Sequence, residues 1–188
     1  SEVPAEAILD TGLFDFDKAH EHPMWAKELY GSHHHVPETE EYGITSYVYR
    51  ARQPFVPEKL LAVLDNDIAG LIRAKGHFWL ATRPDWVGEY SLAGSLSSVK
   101  PLGRWWASVP EEQRPNNPST DSYMQAHWQE PWGDRRQELV FIGSGIDWPA
   151  LKADLDAALL PAFAGASPAN LPDLPDPFPQ WRMAEAAE

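Results

Sequence analysis

Leu139, Val140, Phe141 and Ile142 follow one another without a polar break, inside the stretch Trp132-Gly-Asp-Arg-Arg-Gln-Glu-Leu-Val-Phe-Ile-Gly143. Side chains alternate between the two faces of a strand, so this run leaves neither face suited to water. Gly133 and Asp134 form a turn before it, and Gly143 and Gly145 close it. An apolar run of strand length, bounded in this way, predicts an interior strand covered on both sides. The other elements must pack around it.

Those elements are read from periodicity and punctuation. Ile44 to Ala51 is β-branched and aromatic, a strand by composition. Pro54 and Pro57 stop it, and a helix runs from about Glu58 to Ala69 with Leu60, Leu61, Leu64 and Ile68 as its apolar stripe. Residues 72–82 form a second strand, with Ile72, Ala74, Phe78 and Leu80 on its apolar face and Arg73, Lys75, His77 and Trp79 opposite. A third strand, about 88–100, is rich in Gly and Ser, as bulged or edge strands are. Residues 101–131 are mostly irregular, with one short helix near 122–129. After the apolar run Asp147 caps a last helix to about Leu160, built on Leu151, Leu155 and Leu159. The order β-α-β-β-β-α predicts an α+β fold: a two-layer sandwich with a mixed, mostly antiparallel four-stranded sheet and both helices on one face, ferredoxin-like in character. Its first two strands, joined through a helix, run parallel by a right-handed crossover.

Residues 1–41 carry two short helical segments, about 16–21 and the stretch after Pro23, then a polar run through His33, His34 and His35. They read as an arm and linker attached to a domain over 42–162, followed by an extended Pro/Ala-rich tail over 163–188 that Leu171, Phe178 and Trp181 clamp to the surface. No apolar run approaches the roughly 20 residues that span a bilayer, and no leader peptide opens the chain. The net charge of −13 repels phosphate backbones and argues against nucleic acid as a partner. With no cysteine, disulfides and thiolate metal sites are excluded, which fits a cytoplasmic protein.

No stretch spells out a reaction. There is no phosphate-binding glycine loop with its lysine, no Gly-x-Ser-x-Gly and no His-Glu-x-x-His. His77 has no nucleophile or metal motif beside it and reads as a packed residue. The candidate metal ligands are His33, His34 and His35: in an extended segment His33 and His35 project to one side, and Glu38, Glu40 or Glu41 would complete a tetrahedral zinc site. The candidate partner-binding residues are Trp105, Trp106, Trp132, Arg135 and Arg136, because Trp and Arg are the usual anchors of interfaces. The same indoles also suit a cover for the sheet, and the two readings are compatible.

Several ordered motifs carry a resemblance. Ser-Tyr-Val-Tyr-Arg-Ala-Arg followed by Pro-Phe-x-Pro-Glu (46–58) and Arg-Ala-Lys-Gly-x-Phe-Trp-Leu-Ala-Thr-Arg (73–83) are two of them. Gly-Arg-Trp-Trp-Ala (103–107) and the 132–143 stretch are the others. Over about 42–160 the chain resembles the C-terminal domain of the CobW family of GTP-dependent metallochaperones, and residues 8–16 resemble the closing segment of that family's GTPase domain. The family's P-loop, magnesium residues, guanine-reading motif and cysteine metal site match no residue here. The resemblance therefore implies a regulatory or client-recognition domain that is non-catalytic by itself and requires no cofactor. Its partners would be the family's GTPase domain and a metalloprotein client, and zinc is the metal implied. The alternative is a free-standing divalent-metal module built on His33, His34 and His35.

Overall fold

The computed structural model describes Lys18, residues 43–163 and residues 165–182. The chain divides into two units, Ser1–Pro37 and Glu38–Glu188; all described residues except Lys18 belong to the second. Apart from Lys18, the segments expected to form helices before residue 41 lie outside the described residues.

Five strands form one open sheet: β1 (Ile44–Ala51), β2 (Leu71–Phe78), β3 (Trp86–Ala93), β4 (Leu96–Arg104) and β5 (Gln137–Ser144), in the order β1-β5-β2-β3-β4. Every pairing is antiparallel. Three α-helices accompany it within 43–182: α1 (Pro57–Asp65), α2 (Pro118–His127) and α3 (Trp148–Ala158). The α+β class stands, but the sheet has five strands rather than four and is antiparallel rather than mixed. β1 and β2 do run in the same direction and are joined through α1. β5 has inserted between them, pairing Val48 with Val140 on one side and Lys75 with Val140 on the other. The most apolar strand takes an inner place, between two strands that keep the common direction expected of them.

The stretch expected as a single third strand is a hairpin. Ala93 pairs with Leu96 across Gly94-Ser95, and Gly94 holds φ 59°. A two-residue turn needs a left-handed residue to match the strand twist, and glycine adopts that conformation without a Cβ clash. The Gly/Ser content marks this turn as well as the solvent-facing β4 edge.

α1 begins with Pro57 at its first turn and ends at Asp65, four residues before the expected end, where Asp65-Asn66-Asp67 favours a turn over a helix. It buries Leu60 and Val63. α3 starts at the Asp147 cap, whose carboxylate accepts from the Ala150 N–H at 3.0 Å, and buries Leu151 and Leu155. Both pack on the face of β5 that carries Leu139 and Phe141, with Ala74, Phe78 and Tyr49 from neighbouring strands. The Tyr49 hydroxyl reaches Asp156 of α3 at 2.9 Å. On the opposite face Val140 and Ile142 are only half-buried, so β5 is sealed on one side and not on both. Ile72 departs from the expected apolar face too: it sits in a bulge between the Leu71 and Arg73 pairings and is 47% exposed.

Candidate recognition surface

The long connection between β4 and β5 settles at the end of the sheet where β2 and β4 finish and β3 and β5 begin. Its interior is a second core of Trp79, Trp105 and Trp132, with Trp79 and Trp132 rings 5.4 Å apart. Each tryptophan that enters this core with its indole N–H buried needs an acceptor. Trp79 Nε1 donates to the Arg52 carbonyl at 3.1 Å, and Trp105 Nε1 to the Trp86 carbonyl at 2.9 Å.

A buried polar frame fixes the connection to the sheet. Gln137, fully buried, accepts from the Trp79 N–H at 2.9 Å and donates to the carbonyls of Gln53 (2.7 Å) and Trp79 (3.1 Å). Asp134, 1% exposed, accepts from the backbone N–H groups of Trp106 (3.1 Å) and Ala107 (2.9 Å) and from the Tyr123 hydroxyl (3.3 Å). One carboxylate thus ties the start of the connection to α2. Arg52 donates to the His127 carbonyl at the end of α2 at 2.8 Å. Arg135 donates to the carbonyls of Pro84 (2.6 Å) and Trp132 (3.1 Å), and burial lowers its pKa from the ordinary guanidinium value. These are charge-assisted bonds in a low-dielectric setting, where each lost partner would leave an expensive orphan.

At the rim of the frame Arg136 donates to the Tyr123 hydroxyl at 3.0 Å and to Glu138 at 3.2 Å. Burial alone would raise the Glu138 carboxyl, but hydrogen bonds from Arg136 and Arg50 outweigh it and hold the pKa low. His77 packs edge-on to Trp105, with ring centroids 5.7 Å apart, and its Nε2 lies 3.9 Å from Glu138 without a hydrogen-bond partner. Burial, then the Arg136 charge, pushes its imidazole down to about 4. His77 is therefore neutral near pH 7, and it is packed as expected.

Of the residues singled out in the sequence for partner contact, Trp105 (2% exposed), Trp132 (8%) and Arg135 (5%) are turned inward and build the frame. Trp106 and Arg136 are half-buried at the rim. Trp128, exposed at 37%, stands nearby with the Arg114 guanidinium 5.3 Å over its ring. Sequence reasoning missed Asp134, taken as a turn former, and Gln137. The signal for Gln137 was available: it shares the inward period of Leu139 and Phe141, and a polar group there must have internal partners. His33, His34 and His35 lie outside the described residues. Among the described residues no group of three His, Asp or Glu side chains is placed to hold a metal ion.

The family model described as "Cobalamin synthesis protein cobW C-terminal domain" matches residues 44–159, from the first residue of β1 to the residue after α3. The chain belongs to the CobW C-terminal domain family. Among curated relatives, the zinc-regulated GTPase metalloprotein activator 1 of Dictyostelium discoideum is 44% identical over 164 residues, 85% of this chain and 34% of that protein. A protein of Mycobacterium tuberculosis named as a zinc chaperone is 33% identical over 134 residues, 71% of this chain and 34% of that protein. This CobW-type chain thus spans about a third of the length of the curated relatives it matches. A search of solved structures finds the Zn(II)-bound YjiA GTPase from E. coli at 17% identity and a TM-score of 0.45, covering 67% of this chain and 33% of that one. Among the described residues no helix is long and apolar enough to cross a membrane.

Proposed function

We propose that this CobW C-terminal domain is the regulatory and client-recognition part of a zinc-handling, GTP-dependent metallochaperone, non-catalytic by itself and working in the cytoplasm. Its partners are the family's GTPase domain and a metalloprotein client. The observation that carries the reading is the buried frame of Asp134, Arg135 and Gln137, which spends charged and polar groups on holding an irregular connection rigid. A recognition surface benefits from that rigidity, because side chains already in place lose less entropy on binding. Trp106 and Arg136 at the rim are the contacting residues within this reading, with Trp105, Trp132 and Arg135 supporting them from beneath. Contact with zinc is assigned to His33, His34 and His35. The names of the relatives, a metalloprotein activator and a zinc chaperone, support the metal and client parts of the proposal.

The test is calorimetric titration of the full chain into a separately produced CobW-type GTPase domain. Binding is expected, and Trp106→Ala should weaken it by roughly thirtyfold, about 2 kcal/mol as for an interface anchor. The near-UV circular dichroism of the variant should match the parent. Equal affinity for parent and variant would remove Trp106 from the interface.

A further inference from the structure

The tail supplies an observation that the docking reading does not use. Residues 171–182 run as an extended, proline-rich segment with no helix or strand, and among the described residues no backbone-to-backbone hydrogen bond joins them to the rest of the domain. Side chains alone hold them. Among the described residues, all four hydrogen bonds of the Arg83 guanidinium end on this segment: two on the Asp176 carboxylate (2.7 and 2.8 Å), one on the Pro179 carbonyl (2.7 Å) and one on the Phe178 carbonyl (2.7 Å). The Thr82 hydroxyl adds a further bond to Asp176.

Phe178 is buried against Phe78, and Trp181 lies edge-on to the same ring while the Arg83 cation sits 4.5 Å over its indole. The floor beneath is cut to fit. A Cβ placed on Gly88 would come within 2.7 Å of both Trp181 and Phe78, so only glycine leaves room for the indole. Ahead of Asp176 a gap of about 480 Å³ lies between residues 168–174 and the Thr82-Arg83-Pro84 turn.

Anchors two and three residues apart, carbonyls clamped by an arginine, and prolines that pre-extend the chain are features of a bound linear peptide, one whose Phe178 side chain reaches the main core. We propose that Phe78, Arg83 and Gly88 form a peptide-recognition groove for an acidic residue followed by a proline-flanked aromatic and a second aromatic, and that the chain's own Asp176-Pro177-Phe178-Pro179-Gln180-Trp181 occupies it in cis. This goes beyond the docking reading and stands on different residues. Without the tail, Arg83 has no other side-chain partner among the described residues, and the Phe78 ring and the Gly88 backbone face an empty slot. A tether of this kind presents its ligand at about a millimolar effective concentration. With a micromolar intrinsic Kd the groove is then open about one part in a thousand. A partner bearing the same pattern enters only by displacing the tail, which makes the tail a plug.

The test uses the full chain with a protease recognition sequence inserted between Asn170 and Leu171. After cleavage at tens of micromolar, the protein is diluted and offered a fluorescent peptide covering residues 171–182. The expected result is exchange of the cut segment for the peptide with a micromolar Kd, while the near-UV circular dichroism of the domain persists. Asp176→Asn in the peptide, or Arg83→Gln in the domain, should weaken uptake tenfold or more. Loss of the near-UV signal when the segment leaves would show a structural piece of the core and overturn the proposal. A folded domain that takes up no peptide would overturn it equally.

Discussion

Gln137 occupies a position where the alternation of β5 calls for a hydrocarbon, and its amide answers three backbone groups instead. Its burial was legible from its period, whereas its partners, which come from 58 and 84 residues away in the sequence, were not. His77 is the complementary case: its packed character was legible, and the cause, the Trp105 edge and the Arg136 charge, came from the long connection. The depressed pKa has a thermodynamic consequence. The unfolded chain takes up a proton near pH 6.5, while folded His77 does so only near 4. The stability from this group is therefore fully present above pH 6.5 and is lost as pH falls from 6.5 towards 4. The gap between the two values is worth on the order of 3 kcal/mol. Urea unfolding of parent and His77→Gln at pH 7 and pH 4.5 checks it. The parent should lose more stability than the variant across that interval, by roughly 1–3 kcal/mol. Equal losses would contradict the burial of a neutral imidazole.

Element boundaries followed local chemistry closely where a cap or proline marked them. β1 begins and ends where its composition does, and α3 begins at the Asp147 cap. Pairing order did not follow, because it is settled by competition among strands far apart in sequence. The common direction of β1 and β2 was legible in their connection through a helix, whereas the insertion of β5 between them was not. The β3–β4 hairpin was hidden by a different cause: Gly94-Ser95 is a two-residue turn inside a stretch whose small residues also suit a continuous edge strand. Nothing lies within 4 Å of a Cβ built on Gly94. A substitution there consequently tests backbone conformation without a steric clash. Gly94→Val should destabilise the domain by about 1–2 kcal/mol, the cost of a left-handed L-residue, and Gly94→Asn by clearly less. Denaturant midpoints of the two variants decide; a harmless Val would mean that the turn does not need the left-handed residue.

At the level of the whole molecule, no stretch of the sequence spelled out a reaction, and the ordered motifs of residues 46–58, 73–83, 103–107 and 132–143 pointed to the family. The second tryptophan core and the tail bound by Arg83 were not legible in full. The clamping role of Phe178 and Trp181 could be read from their isolation in a Pro/Ala-rich tail, but Arg83 gave no sign of its partner 93 residues on. In the proposed function the connection at 105–136 faces the GTPase domain. Amide hydrogen exchange of the full chain, alone and with a CobW-type GTPase domain, tests it most directly. The account predicts slowed exchange within residues 106–136 and unchanged exchange in α1 and α3. Slowing confined to those two helices, or none at all under saturating partner, would contradict it.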